Sequence, residues 1–152
     1  MAKFEMEQMA AIAAITQLIN DWTHEIDTNG GRSIVQADLL TQDCRCKLLD
    51  QWIVGLDEIA KFYKKVYAEA EVGGGVPVVR QLVSNLRVSF LSETAAQVGF
   101  SLLLFAKRGK VPFSDYCDPV EVADVQVDCR RGGDGRWRIS QLEGDRIFRR
   151  ER

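Results

Sequence analysis

Arg80-Gln81-Leu82-Val83-Ser84-Asn85-Leu86-Arg87-Val88 alternates aliphatic and polar side chains with no glycine or proline, the pattern of a half-buried β-strand. Strand parity puts Arg80, Leu82, Ser84, Leu86, Val88 and Phe90 on one face and Gln81, Val83, Asn85 and Arg87 on the other. A β-bulge would change which set faces inward. Near the C-terminus, Gly135-Arg136-Trp137-Arg138-Ile139 opens a second strand, with Trp137 and Ile139 on one face. A core or subunit contact suits Trp137 better than ligand stacking.

Outward from these segments, strands are expected over Val78–Leu91, Ala95–Lys107, Val120–Arg131 and Arg136–Ile147. Ser92-Glu93-Thr94 and Gly132-Gly133-Asp134-Gly135 supply tight turns, the Asp-Gly pair being suited to positive φ. The strand around Gln97–Leu104 is apolar on both faces and reads as central. Arg108–Pro119 is longer than a hairpin requires, and its Phe113 and Tyr116 suggest a cover over a ligand site.

Upstream, Ile12, Ile15, Ile19, Trp22 and Ile26 recur at helical spacing, so a first helix is expected from Met6 to Thr28, stopped by Asn29-Gly30-Gly31. Ser33 caps a short second helix ending near Leu40. Short strands follow at Cys44–Leu49 and Gln51–Val54, then a third helix over Leu56–Ala70, with Ile59, Phe62, Tyr63 and Val66 inward and Asp57 and Glu58 in its first turn. Gly73-Gly74-Gly75 and Pro77 end it, without the residues of a phosphate loop. Helices first and consecutive strands afterwards predict one α+β domain over residues 1–152, its curved sheet wrapped around the helices with a cavity at the open end.

Composition narrows the partners. At 152 residues and 46% hydrophobic, the chain builds a real core. A net charge of −2 predicts no nucleic acid and no membrane surface as partner, and the arginines Arg146, Arg149, Arg150 and Arg152 read as a solvated basic tail. Met9–Ile15 is too short to span a bilayer, and no signal peptide is evident, so a cytoplasmic location is expected. Four cysteines and one histidine, with no Cys-x-x-Cys pair, predict no metal site; Cys44 and Cys46 share a strand face as small apolar residues.

Helical steps of about 100° place Asp27 at the border of the apolar face of the first helix and His24 almost opposite its centre. A carboxylate at a pocket margin can act as a general base through desolvation; the alternative is a helix-end residue bonded to nearby backbone. His24 reads as a surface residue. Trp52 is placed to rim a cavity, and Arg80 reads more readily as an inter-subunit ion pair than as a ligand anchor.

The Arg-x-Leu-Val-Ser-Asn and Gly-Arg-Trp-Arg-Ile segments, together with the N-terminal amphipathic helix, resemble the SnoaL-like and NTF2-like families. Scytalone dehydratase-like proteins and the β subunits of ring-hydroxylating dioxygenases are the nearest within that group. The resemblance implies a cone-shaped α+β fold with about three helices in a mixed, mostly antiparallel sheet. It also implies a hydrophobic aromatic, polyketide or steroid-like ligand, and cofactor-free dehydration, isomerisation or cyclisation by a lyase or isomerase. In many relatives an Asp late in the first helix and a His at the start of the long strand face one cavity. Asp27 matches the first position, but Gln81 stands at the second, and Gln cannot exchange a proton near neutral pH. Asp27 and Tyr63 or Tyr116 are then the acid–base residues, with Gln81 and Asn85 orienting the substrate and Trp52, Phe113 and Tyr116 binding it. Two other readings stand beside this one: a non-catalytic β subunit, which would be a trimer with an iron-containing large subunit, and a ligand-binding module without turnover. Strands apolar on both sides at 95–106 and 120–129 predict a homodimer through the convex sheet face in the first case.

Overall fold

The computed structural model describes residues 3–151. Its helices are α1 (Met6–Asn29), α2 (Ile34–Ala37) and α3 (Leu56–Val72). Its strands are β1 (Leu40–Leu48), β2 (Gln51–Val54), β3 (Val78–Phe90), β4 (Ala95–Lys107), β5 (Glu121–Arg131) and β6 (Trp137–Arg149). They form one mixed sheet in the order β2-β1-β6-β5-β4-β3, antiparallel except for the parallel pair β1–β6. This is the α+β arrangement expected from the order of elements, with α1 laid across β3 and β6.

α1 starts at a capping box, in which the Gln8 side chain accepts the Glu5 backbone N–H at 3.0 Å. It ends where Gly30 takes φ +61° and its N–H returns to the carbonyls of the last turn. Gly31, at φ +75°, is required twice over, because a Cβ there would lie 2.4 Å from the Tyr63 ring. The bare glycine is what lets α3 close on the end of α1.

The core lies between α1, α3 and the inner face of the sheet. Ile15, Ile19, Ile59, Val98, Val127 and Ile139 are fully buried, each contributing about 1.5–3 kcal/mol of transfer free energy. Cys44, Cys46 and Cys129 are buried free thiols, with the Sγ atoms of the first two 3.7 Å apart on one strand face. Burial holds the Cys129 thiol at a pKa of about 12, so it behaves as a small apolar group.

The parity of β3 is resolved by a bulge. Its register against β4 shifts between Ser84 and Arg87, and Asn85 takes φ +57° there. Gln81 and Val83 therefore face inward before the bulge and Leu86, Val88 and Phe90 after it, whereas Leu82 is half exposed on the outer face. No single parity describes the strand, which corrects the expectation that Leu82 and Leu86 share a side.

Two boundaries also differ. α2 ends at Ala37 because Asp38 adopts φ +56° and is gripped by Arg138. β1 begins at Leu40 rather than Cys44, since Leu40 pairs with Ile139 and Leu39 accepts the Ile139 N–H at 2.8 Å. Both causes lie about a hundred residues away in sequence. No helix among the described residues is long and apolar enough to cross a membrane.

Candidate functional site

The last turn of α1 presents Asp27 to the start of β3. Asp27 Oδ2 accepts the backbone N–H of Gln81 at 3.0 Å. Asp27 Oδ1 and Gln81 Oε1 are both buried and have no hydrogen-bond partner. Two acceptor oxygens thus sit without a donor in the seam between α1 and β3, a costly arrangement unless a ligand or a proton supplies one. Burial raises the Asp27 pKa above the ordinary carboxylate value. The Gln81 N–H, the Arg80 charge and the His24 charge oppose that rise and are outweighed.

Gln81 shares a cross-strand row with Leu104 and Glu121, so all three project from the inner face. Arg146 stands opposite Ala123 on the same face. Its guanidinium is held by Glu121 and by Asp50, in the turn between β1 and β2, each at 2.9 Å. Arg146 is thereby fixed in the sheet rather than lying in a solvated tail, which corrects that expectation; Arg152 falls outside the described residues. Neither Glu121 nor Arg146 emerged from the sequence as a site residue, because only the β6 register puts them on the inner face.

Tyr63 is separated from Asp27. Its hydroxyl is desolvated among Cys46, Cys44 and Glu25, with a hydrogen bond to Trp22, and its pKa is pushed well above that of an ordinary phenol. The ring packs against Gly31. The phenol stays protonated and braces α3 against α1; nothing brings it to the Asp27 carboxylate. Glu25, 6% exposed, completes this neighbourhood and accepts from Asn29 Nδ2 and from the Ser33 N–H, both at 2.7 Å. Its spacing of three from Trp22 and seven from Leu18 was the available signal that it lies on the buried stripe.

The remaining candidates are dispersed. Asn85 sits on the bulge and lines a cleft of the outer face. Trp52 pairs with Lys47 beside the inward pair Cys46 and Ile53, so it points outward, under the Arg45 guanidinium at 4.7 Å. Phe113 packs beneath Lys107 at the end of β4, its ring 5.3 Å from the ammonium, and Tyr116 is 86% exposed. His24 is exposed, while Asp27 is half-buried. The expected open cavity is not a prominent feature either. Clefts of about 900, 290 and 390 Å3 lie on the outer sheet face, at the tip beside Phe90 and Trp137, and beside Phe148, and none includes Asp27 or Gln81. Ile26, Val83 and Leu102 pack onto the core from the inner side instead. Among the described residues no three His, Cys, Asp or Glu side chains are grouped so as to hold a metal ion.

Helices are laid on a mixed six-stranded sheet, and an acidic residue faces inward from α1. The chain belongs to the SnoaL-like domain family, which it matches over residues 7–143. It is similar in structure to a protein of Catenulispora acidiphila solved in complex with S-DNPA (TM-score 0.72, 18% identity, covering 91% of this chain and 94% of that one). A scytalone dehydratase-like protein of Novosphingobium aromaticivorans gives a TM-score of 0.70 at 19% identity, with coverage of 93% and 87%. The hexachlorocyclohexane dehydrochlorinase LinA-type3 of Novosphingobium barchaimii gives 0.70 at 17% identity, with coverage of 94% and 90%. At these identities the likeness establishes the fold. No curated protein matches the chain.

Proposed function

We propose that this chain is a small-molecule enzyme that moves a proton without a cofactor, as a lyase or isomerase acting on a hydrophobic aromatic, polyketide or steroid-like substrate. The observation that carries the reading is the Asp27–Gln81 seam, where one oxygen of a desolvated carboxylate and an amide oxygen are buried without donors. Such a carboxylate is a better base than one in water, and its free oxygen is the lone pair that would accept the proton. Asp27 Oδ1 is buried in the structure described, so the seam between α1 and β3 must part to admit a substrate; Oδ1 then takes a proton from a carbon next to a carbonyl. The electrons pass toward the carbonyl oxygen, and the Gln81 amide, turned to present its N–H, donates to that oxygen. The proton then passes from Asp27 to another carbon in an isomerisation; in a dehydration it passes from Asp27 to a β-hydroxyl, which leaves as water while the enolate electrons re-form the carbonyl and make the new C=C bond. Tyr63 has no part in the step, because its hydroxyl lies among Trp22, Cys44, Cys46 and Glu25. Neighbours of the same fold include one solved with a ligand and one named a dehydrochlorinase, which supports a ligand-binding or proton-abstracting role for the fold.

The test is a panel of hydroxylated aromatics, polyketide-like β-ketones and ketosteroids, followed by mass spectrometry for loss of water or isomer formation and by thermal shift for binding. Turnover by the wild type and its loss in Asp27→Asn are expected. Thermal stabilisation without turnover would leave a binding module and sink the catalytic assignment. Neither turnover nor stabilisation across the panel would sink the pocket reading as well.

A further inference from the structure

Arg146 carries more hydrogen-bonding capacity than the sheet uses. Its Nε donates to Glu121 and its Nη1 to Asp50, each at 2.9 Å, and Nη2 makes no bond among the described residues. The two carboxylates are not equivalent. Glu121 is set in β5, and its side chain is 25% exposed. Asp50 lies in the turn between β1 and β2 at φ +63°, with its side chain 75% exposed and no other side-chain hydrogen bond. A pair of that kind adds little stability, because water and salt compete for both members. Asp50 therefore marks a place where Arg146 holds a carboxylate that little else fixes. Arg149 stands opposite Glu121 and has no ion pair among the described residues. With Asp50 withdrawn, the Arg146 and Arg149 guanidiniums are left with the Glu121 carboxylate, and a single positive charge is uncompensated. There is room beside it. Gly144, on the same face as Arg146, bears no side chain, and a Cβ there would meet only Val125 Cγ2 at 3.6 Å and the Asp124 carbonyl at 4.0 Å. The cleft of about 390 Å3 beside Phe148 is lined by Glu121 and Arg149, so open space reaches the cluster from the end of the sheet. Glu121 is two strands from Gln81 through Leu104, a backbone separation of about 10 Å. A fused two-ring aromatic with a substituent at each end has that length.

We propose that Arg146 determines the specificity of this site, and that its substrate is a carboxylic acid whose carboxylate replaces Asp50 on the guanidinium. The proposal rests on the Asp27–Gln81 reading of the site and names the class of molecule it accepts. Glu121 keeps hold of Nε, which leaves Nη1 and Nη2 to meet the ligand as a fork. The far end of a molecule of that length then lies at the parted seam, where Asp27 Oδ1 and Gln81 Oε1 lack donors. A carboxylate suits the cluster better than a phosphate, since one charge is uncompensated and the group displaced is itself a carboxylate. Arg146 anchors the substrate away from the reacting carbon and has no part in moving the proton.

The experiment is calorimetric titration of the full chain with a hydroxynaphthoic acid, its hydroxyl and carboxyl at opposite ends of the ring system, and with the methyl ester of that acid. The hydroxyl offers the seam its missing donor, and only the acid offers an anion to Arg146. The acid is expected to bind at least about tenfold more tightly than the ester, the worth of one charge-assisted hydrogen bond. Arg146→Gln should erase that difference and leave ester binding as it was, and Arg146→Lys should restore part of it. Asp50→Asn, which suits the same positive φ, removes the competing carboxylate; it should tighten the acid severalfold and leave the ester unchanged. Circular dichroism confirms that each variant folds, and if Arg146→Gln does not, Asp50→Asn decides alone. Asp27→Asn should keep the preference for the acid, which separates this proposal from the proton-transfer reading. An ester bound by the wild type as tightly as the acid would overturn the proposal and leave that reading standing. So would an undiminished preference in Arg146→Gln, or weaker binding of the acid by Asp50→Asn. Binding of neither compound would also overturn it, with the turnover panel deciding the proton transfer separately.

Discussion

Gln81 donates its backbone N–H to Asp27 Oδ2 at 3.0 Å, and the other oxygen of that carboxylate is buried without a donor. The first fact fixes the carboxylate; the second leaves it a free lone pair. β3 is the edge strand of the sheet, and an edge N–H is free to be given to a side chain rather than to a neighbouring strand. The end of α1 is therefore joined to the sheet through the same group that carries the proposed chemistry. The arrangement also accounts for a Gln at this position. Its main chain holds Asp27, while its side chain adds a neutral dipole that does not titrate against the base.

Glu25 should prove more important to stability than Asp27. It is buried, and its two oxygens hold Asn29 and the Ser33 N–H, which together shape the turn from α1 into α2. Glu25→Ala leaves both donors unsatisfied in a buried site and should cost about 3 kcal/mol in urea unfolding, with Glu25→Gln costing less because one acceptor remains. A loss below about 1 kcal/mol for Glu25→Ala would mean that water replaces the carboxylate there.

Gly31→Ala sets a Cβ 2.4 Å from the Tyr63 ring at a φ of +75°, so it carries both a steric and a conformational penalty. A loss of about 2–4 kcal/mol is expected. In the Tyr63→Ala background the steric part disappears, so the two substitutions should be non-additive by about 1 kcal/mol or more. Strict additivity in a double-mutant cycle would show that the helix end and α3 are not in the contact described.

Arg138 grips Asp38 through Nε and Nη2, both at 2.9 Å, and Asp134 through Nη2 at 2.7 Å. These bonds lower the pKa of both carboxylates. A carboxylate whose folded pKa is depressed stabilises the fold above its unfolded pKa and loses that contribution as pH falls through the folded value. The carboxylates are largely exposed, so the effect is screened. Arg138→Lys, which gives up the fork, should lower the melting temperature at neutral pH and shrink the further fall on acidification below about pH 4. An unchanged acid limb would assign it to other carboxylates.

The elements were legible in the sequence where the signal is local. Ile15, Ile19 and Trp22 at helical spacing gave α1, Gly30 gave its end, and the alternation around Leu82 gave β3. What escaped were features set by partners remote in sequence. Leu40 is in a strand because Ile139 lies beside it, and Leu82 and Leu86 part company at a bulge that no local residue announces except Asn85, a residue tolerant of positive φ. The same holds for the candidate site. The position of Asp27 followed from helix phase, but Tyr63 carries the same inward signature and serves a different neighbourhood. Periodicity reports that a side chain is buried and not which groups it meets. Glu121 and Arg146 depend on the β5–β6 register and were out of reach for that reason.

The most discriminating measurement concerns pH. Burial raises the Asp27 pKa above its ordinary value, and two consequences of opposite sign follow. An acid whose folded pKa exceeds its unfolded pKa stabilises the fold most when protonated, below the unfolded value, and that contribution is lost as pH rises through the folded value. A general base works only when deprotonated, so turnover should rise over the same interval. The wild type should therefore gain activity and lose a little stability across one pH window, lying above the ordinary carboxylate range. Asp27→Asn keeps the acceptor for the Gln81 N–H and removes the titration. It should cost about a hundredfold or more in turnover, abolish the acid limb of kcat/KM and flatten the stability profile in that window, with little loss of stability at neutral pH. His24→Ala, at an exposed position, should leave turnover nearly intact and shift the acid limb slightly upward, because the nearby positive charge that favours the carboxylate is gone. An essential His24 with a dispensable Asp27, or an acid limb that persists in Asp27→Asn, would move the proton transfer to another residue.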